Sequence, residues 1–569
     1  MARKSFAVVF AGSGGSGAMS AGAIFLRACA RAGYFGMMNQ LFGAQVRGGE
    51  SAALVQIGVE PVEAQPDRYD LFVALDWDKV DQFAAEIPLD EASIIIADPQ
   101  AGAMPPNIAK SKARSVAFDM NEGVKHGRGP QRINMHAVGA ICALVGLSTG
   151  DVEAAVADVF KDKPADVVAA NQQSAVSGFA ASANLTLNFR FDPPQQAARW
   201  LISGNQAIAL GALRGGVRFV GCYPITPATD LVEWLAPHLM KLGGRLVLGE
   251  DELASVNMAL GASYGGTPAM TVTAGPGFSL MVETIGLAVA AEIPLVLVDV
   301  MRAGPSTGIA SKTEQSDINL AIYGAHGDAP RVVMAPMSVA DCAATAEYAT
   351  YVAEALQTPV IVLSDQQLGQ STTVIDSEQP RPKPMTRRVN GVAPADGAFK
   401  RYAIGADPLT PMPRPGTPGR EWVAEGLTHN EVGLPASGAG PHVAQINKRA
   451  KKIARFDPGA WWGECWGDSA TAIVAFGSTI GPAREAARRL AAAGRPVRVI
   501  ALRVIAPLPA EPLARALHGV RRVIVVEQNH GAQLYHYLLG QKAIPTAAES
   551  VARPGPLPYR PSEIASYVA

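Results

Sequence analysis

Cysteine is scarce. The chain of 569 residues holds only Cys29, Cys142, Cys222, Cys342 and Cys465, and no two of them stand close in sequence. Without a C-x-x-C there is no local cradle for an iron–sulfur cluster or a zinc ion, and a sparse, odd set does not build a secreted disulfide scaffold. The expected compartment is the reducing cytoplasm. Charge is also low, at 17%, and nearly balanced: Lys+Arg 49 against Asp+Glu 50 gives a formal net charge of -1. That balance carries no electrostatic footprint for nucleic acid or for a membrane surface. Long apolar runs are missing too. The segment 287–301 is interrupted by Glu292, Pro294 and Asp299, and it falls short of the roughly 20 residues that cross a bilayer. The apolar run 6–11 behind Arg3 and Lys4 mimics a secretory signal, but it is short and a glycine loop follows, so a buried strand is expected there. There is no H-E-x-x-H, no histidine pair at metal spacing, no Walker loop and no G-x-S-x-G elbow. No metal is expected on this chain.

What the chain has in quantity is apolar residues, 48%, with Gly 57 and Pro 42. This is enough for several buried cores joined by tight loops. At about 150 residues per domain the length suggests three or four domains. Apolar runs alternate with helical patterns throughout, which predicts α/β domains with mostly parallel sheets. In the first 190 or so residues, strands are expected at 6–11, 69–75 and 93–97, a helix at 18–32, and a closing strand at 184–191. A second unit opens near Ile202, with strands at 219–222, 246–249, 269–273, 295–300, 331–334 and 358–364. Helices are expected there from Asp251, at 278–291 and at 339–356. The stretch from Pro380 to Pro441 contains eleven prolines and little periodicity, so it reads as a linker or covering segment. Strands at 471–476, 497–501 and 522–527 mark a last α/β domain. The expected boundaries are 1–195, 196–375, 376–465 and 466–569. The basic run Lys448, Arg449, Lys451 and Lys452 is expected to be a solvated helix face.

Several loops can carry chemistry. Gly12-Ser13-Gly14-Gly15-Ser16-Gly17 follows a strand and opens a helix, as a phosphate-binding turn does. A dinucleotide site also needs an acid about 20 residues on; none lies near 34–40, which disfavours a nicotinamide dehydrogenase. Arg47 in Arg47-Gly48-Gly49-Glu50-Ser51 can bring a cation beside the same crevice. Tyr223-Pro224-Ile225-Thr226-Pro227 follows a strand end and holds Thr226 at the carboxyl edge of a sheet, where open α/β sheets bind ligands. Glu250-Asp251-Glu252 starts a helix, and Ala274-Gly275-Pro276-Gly277 precedes another. The three acids fit a helix dipole as readily as a catalytic role. Arg302 to Gly308, with Lys312 and Thr313 beyond, offers cations, hydroxyls and bare backbone to an anionic substrate.

Taken together, these segments resemble one family. YPITP at 223–227, GEDELASVNMALGAS at 249–263, TAGPGFSLMVE at 273–283, RAGPSTG at 302–308 and KTEQSD at 312–317 are similar to the α subunit of 2-oxoacid:ferredoxin oxidoreductases. GSGGSG at 12–17 and RGGES at 47–51 resemble that family's γ domain, here ahead of α, and VVEQNHGAQL at 525–534 resembles the α subunit's C-terminal domain.

The resemblance implies three α/β domains: a γ-type domain, a pyrimidine-type thiamine diphosphate domain, and a transketolase-C-like domain. It implies a 2-oxoacid oxidatively decarboxylated, coenzyme A taking the acyl group and ferredoxin the electrons. KTEQSD resembles the 2-oxoglutarate enzymes more than the pyruvate ones. Pyruvate, branched-chain and aryl 2-oxoacids remain open as substrates, as does a non-catalytic scaffold. Thiamine enzymes usually carry a G-D-G…N-N segment for Mg²⁺ and the diphosphate. Gly467-Asp468-Ser469 and Gly327-Asp328-Ala329 lack the asparagines. Thiamine diphosphate with its Mg²⁺, and the [4Fe–4S] cluster, are thus expected mainly on a β subunit, in an (αβ)2 assembly. By the same resemblance Glu252 faces the cofactor's aminopyrimidine and shares a proton with it, a role that asks for burial. Tyr223, Pro224, Ile225, Gly275 and Gly277 line the cofactor, and Thr226 and Arg302 meet the substrate carboxylate. Lys312, Thr313 and Arg47 are further substrate candidates.

Overall fold

The structure, a computed structural model, describes residues 4–43, 49–121, 132–187, 189, 191–192, 194–390 and 397–568. It divides into two units, one of residues 1–203, 370–378 and 560–562, the other of 204–369, 379–559 and 563–569.

The first unit is built on β1 (Ser5–Ser13), β2 (Phe35–Phe42), β3 (Glu50–Gly58), β4 (Leu71–Ala74), β5 (Ile94–Ala97), β6 (Arg114–Ala117) and β7 (Arg199–Ser203). The second unit begins with β8 (Phe219–Cys222), β9 (Arg245–Leu248), β10 (Ala269–Thr273), β11 (Leu295–Met301), β12 (Val332–Met334) and β13 (Pro359–Asp365). The chain then returns to the first unit for β14 (Thr372–Asp376). The remaining strands are β15 (Gly463–Trp466), β16 (Thr471–Phe476), β17 (Arg498–Leu502), β18 (Val504–Ala506), β19 (Arg522–Glu527) and β20 (Glu549–Ala552).

The first sheet runs β6-β5-β4-β1-β3-β2-β14-β7. Only its β1, β4, β5 and β6 side is parallel; β3, β2, β14 and β7 pair antiparallel. The expectation of a mostly parallel sheet fails here. Phe35–Phe42 and Glu50–Gly58 form an antiparallel pair inside the sheet, between β1 and β14, and a polar Asn-Gln pair inside β2 hides its strand character. Where a strand is expected at 184–191, Ser182–Leu185 forms a short 3-10 turn, and residues 188 and 190 lie outside the described residues. Thr372–Asp376, placed by sequence in the second domain, pairs with β2 and β7 of the first sheet. The core of this unit gathers Phe6, Phe10, Phe25 and Met135 between the sheet and its helices. Helices Ile133–Leu144 and Ala165–Ala181 touch backbone to backbone, because a methyl at Gly139 or Gly178 would collide with the carbonyl of Ala175 or His136.

The second unit holds two sheets. One runs β18-β12-β13-β11-β10-β8-β9, parallel except for β18. The other runs β15-β17-β16-β19-β20, parallel except for β15. They share one core in which Leu297, Leu363, Val474, Leu502 and Val525 are packed together. The apolar runs of β11 and β13, buried along their whole length, are those of strands covered on both faces.

The proline-rich segment is not a free linker. Arg381 pairs with Glu347 at 2.7 Å, and Arg387 with Glu354 of the Val339–Leu356 helix. The basic run of the Ala439–Ala454 helix is corrected as well: Lys448, Arg449 and Lys452 are buried. Two of those ammonium groups close on one carboxylate, Glu292, at 2.5 and 2.9 Å. Charge density alone looked like a solvated face, because the acid that matches it lies some 150 residues away in sequence.

Candidate functional site

The site is assembled at the carboxyl ends of β8, β9, β10 and β11, which are neighbours in one sheet. Each strand end delivers one piece. After β8 come Tyr223 to Pro227, anchored by the buried Asn205, whose Nδ2 donates to the Pro227 carbonyl at 2.9 Å. After β9 comes the Glu252–Tyr264 helix, with Asp251 as its N-cap: the Asp251 side chain accepts from Ala254 N at 2.7 Å. After β10 comes the Gly275–Ala290 helix, and after β11 comes Arg302.

Glu252 is buried, 7% exposed, although it occupies the first turn of its helix. Its carboxylate lies against the start of the next helix. A methyl at Gly277 would collide with Thr273 Oγ1 and stand 2.5 Å from Glu252 Oε1. Gly277 is therefore glycine because the acid occupies the space of a side chain. In Gly277→Ala the added methyl must push Glu252 aside. The expected result is a loss of about 1–3 kcal/mol of stability, read from urea unfolding.

Arg302 is also buried, 8% exposed, and its Nη1 donates to the Thr226 carbonyl at 2.6 Å. This bond ties the ends of β8 and β11 together and aims the guanidinium across the sheet edge. Burial pushes its pKa down, and Asp317 opposes that. Asp317 in turn leans on the Gly275 end of the helix that carries Gly277, since a methyl at Gly275 would stand 2.8 Å from Asp317 Oδ2. Glu252, Gly277, Gly275, Arg302 and Thr226 are thereby joined through contacts of one sheet edge. Tyr223 is 40% exposed beside them, as are Leu253 at 46% and Leu280 at 48%.

Other expected residues fall elsewhere. Thr313 is turned inward, 1% exposed, and its hydroxyl donates to Asp365 at 3.3 Å. It belongs to a polar joint: Gln315 Nε2 donates to the Phe476 carbonyl at 2.9 Å, and Gln528 N donates to Gln315 Oε1 at 3.0 Å. Lys312 stands at the base of the loop after Arg302, where its carbonyl accepts from Ala303 N at 3.0 Å. Arg47 lies outside the described residues. In the glycine loop, Gly14 N donates to the Gly49 carbonyl at 2.7 Å, so Gly49 lies beside that loop. Asp76, not singled out by sequence, holds Ser13 through its backbone N–H and hydroxyl, each at 2.9 Å. Asp299, Asp317 and Asn205 were also missed. A lone acid inside the apolar strand LVLVDVM is the one signal that marks Asp299. Among the described residues no cluster of three or more His, Cys, Asp or Glu is placed to hold a metal. No helix among them is long and apolar enough to cross a membrane.

Known proteins resemble the chain along most of its length. Residues 210–448 match the family described as pyruvate flavodoxin/ferredoxin oxidoreductase, thiamine diP-binding. Residues 7–181 match pyruvate ferredoxin/flavodoxin oxidoreductase, and 464–552 match the transketolase C-terminal domain. The 2-oxoglutarate synthase subunit KorA of Archaeoglobus fulgidus is 36% identical, over 58% of this chain and 88% of its own. The 2-oxoglutarate oxidoreductase subunit KorA of Mycobacterium tuberculosis is 32% identical, over 78% of this chain and 69% of its own. The chain spans 58% of the length of the 2-oxoacid:ferredoxin oxidoreductase 2 α subunit of Aeropyrum pernix. Among solved structures, the 2-oxoglutarate:ferredoxin oxidoreductase of Magnetococcus marinus, with 2-oxoglutarate, coenzyme A and succinyl-CoA bound, superposes with a TM-score of 0.90. It is 34% identical and covers 100% of this chain and 99% of that one. Three domain matches in the order of the sheets, and relatives alike over most of their lengths, make this chain a member of the 2-oxoacid:ferredoxin oxidoreductase family, of the α-subunit type.

Proposed function

We propose that the chain is the α subunit of a 2-oxoglutarate:ferredoxin oxidoreductase. It converts 2-oxoglutarate and coenzyme A into succinyl-CoA and CO2, passing two electrons to ferredoxin, or runs the reverse carboxylation. The observation that carries this reading is the pairing, at one sheet edge, of a buried acid, Glu252, with a buried guanidinium, Arg302, fixed on Thr226. A relative solved with 2-oxoglutarate and coenzyme A bound supports the choice of substrate.

The residues fit the aminopyrimidine half of a thiamine diphosphate site. The fit rests on the glycine cradle: Gly277 leaves room for the Glu252 carboxyl and nothing larger. Bound there, thiamine diphosphate supplies the carbon nucleophile that adds to the 2-oxo group and holds the electrons left by CO2. Glu252 Oε holds and moves the proton that this activation requires, inside a buried pocket where the proton cannot be lost to bulk water. Tyr223, Pro224, Ile225, Gly275 and Gly277 present backbone and one ring along the cofactor. Arg302 receives the substrate's 1-carboxylate and offsets charge as it builds up, and Lys312 takes the distal carboxylate. Thr313 contributes from behind, by fixing the joint that holds the Lys312 segment. Arg47 remains a candidate for an anionic ligand of the first unit.

Mg²⁺, the diphosphate contacts and the [4Fe–4S] cluster belong to a separate β subunit, because this chain has neither the metal-binding sequence nor paired cysteines. Exposed Tyr223, Leu253 and Leu280 around the buried acid are the surface such a subunit covers. The assembly is an (αβ)2 heterotetramer in the cytoplasm. The test is anaerobic co-expression with the neighbouring candidate β chain, followed by methyl viologen reduction with coenzyme A and a panel of 2-oxoacids. Reduction with 2-oxoglutarate well above pyruvate is the expected result. Preference for another 2-oxoacid corrects the substrate, and no reduction by a loaded, stable complex sinks the enzyme reading.

A further inference from the structure

Asp299 is the last thing a buried apolar strand should carry. It is 0% exposed near the carboxyl end of β11, three residues before Arg302, and neither of its carboxyl oxygens meets a hydrogen-bond donor. What it faces is a second acid, Asp317, whose Oδ2 is likewise buried without a donor. Two facing carboxyls with no donor between them are stable only when a proton lies between them. Gly275 packs against the other side of Asp317, where an added methyl would stand 2.8 Å from its Oδ2.

We propose that Asp299 and Asp317 share one proton, and that a 2-oxoacid docking on Arg302 makes the pair take up a second from solvent. The inference rests on the functional reading above only for the identity of the docking anion. With one proton the pair carries a single negative charge, which balances Arg302. A substrate carboxylate brings a second negative charge to the same buried guanidinium. Asp317 then competes with the substrate until it is neutralised.

Other charges do not alter this logic. The groups that act on the pair are Arg302, after β11, and Glu314, in the segment before the Ile318–Tyr323 helix. Glu252 stands against Gly277, two residues along the facing helix. Burial pushes Asp317 up to about 6, against the lowering pull of the Asp299 hydrogen bond and of Arg302. Burial, then the charge of Asp317, holds Asp299 well above the carboxylate range, so Asp299 is the donor in the pair.

Asp299 and Asp317 are positioning residues, and replacing each with asparagine has different consequences. In Asp317→Asn no charge competes with the substrate. Binding is tight and independent of pH. In Asp299→Asn the amide donates to Asp317 as the protonated Asp299 does, so Asp317 still takes up a proton and binding keeps the pH dependence of the wild type. In both of these, affinity falls up to about tenfold per pH unit as pH rises from 6 towards 8. A folding defect does not tighten binding and abolish its pH dependence in one isosteric variant alone.

The experiment titrates 2-hydroxyglutarate, an unreactive dicarboxylate, into the complex with the β subunit by calorimetry. Two buffers of different ionisation heat count the protons. Uptake approaching one proton in the wild type and in Asp299→Asn, and none in Asp317→Asn, is expected. Binding without proton uptake, or Asp317→Asn binding no tighter than Asp299→Asn, overturns the proposal. If no dicarboxylate or 2-oxoacid binds at all, the functional reading has failed. The pair is then judged by infrared difference spectra of the wild type minus Asp299→Asn. A protonated-carboxyl band at pH 8 upholds the shared proton, and its absence overturns it.

Discussion

Glu252→Ala lowers the turnover of the assembled enzyme by about 10²–10⁴, the range for losing a positioned proton donor or acceptor. KM for the 2-oxoacid stays within about twofold, because Arg302 and Thr226 are untouched. The helix survives the change. Its cap is Asp251, which binds Ala254 N at 2.7 Å without help from Glu252. What the fold loses is one carboxylate near a helix N-terminus, worth about 0.3–1 kcal/mol. Glu252→Gln sharpens the test. It preserves the shape that fills the Gly277 cradle but removes the exchangeable proton, so its turnover falls with that of Glu252→Ala. A space-filling role predicts the reverse, with Gln close to wild type. A scaffold role predicts that both variants remain active. The measurement is methyl viologen reduction by each co-expressed complex, with melting temperatures recorded to exclude unfolding.

The second unit was legible in sequence because strands buried on both faces are near-continuous apolar runs. Strands 219–222, 269–273, 471–476 and 522–527 coincide with the observed ones, and loop motifs at their ends marked Thr226, Glu252, Gly275 and Arg302. The first sheet was harder. Its antiparallel strands depend on pairings that local patterns do not encode, above all β14, which is followed in the chain by neither of the strands it joins. Thr313 reads as a surface hydroxyl by its neighbours Lys312 and Glu314, yet it is buried against Asp365. The acid that buries it is 52 residues away. Asp299 was visible only as an interruption of an apolar run, and that interruption turns out to be its meaning: an acid in that place needs a partner. The sequence pattern thus reveals which loops reach the site, whereas the charges that balance one another across elements become apparent only in the fold.

The strongest such balance holds the proline-rich covering segment and predicts a large stability effect. Glu292, 0% exposed, receives Lys448 at 2.5 Å and Lys452 at 2.9 Å, while Arg401 donates to its backbone carbonyl at 2.7 Å. Burial alone would raise the Glu292 carboxyl, but Lys452 and Lys448, with Arg401 beyond them, hold it well below its ordinary value of 4.5. Glu292→Gln leaves two buried ammonium groups without their counter-ion, and the expected loss is about 3–5 kcal/mol. The pH dependence separates this from a packing defect. A carboxyl depressed in the folded state stabilises fully above its unfolded value and loses that contribution as pH falls through the folded one. The wild type therefore weakens steadily on acidification below about 4.5, the ordinary value of such a carboxyl, and the variant much less, so the two urea-midpoint curves approach each other in acid. They approach at the alkaline end too. Burial already brings Lys448 down to about 8 in the wild type, partly opposed by Glu292. Without Glu292 it sheds its proton at lower pH, and the variant recovers stability as pH rises. A deficit greatest between these limits identifies the ion cluster as what clamps residues 400–452 onto the catalytic sheet. A deficit that is flat from pH 4 to pH 9 assigns the loss to packing instead.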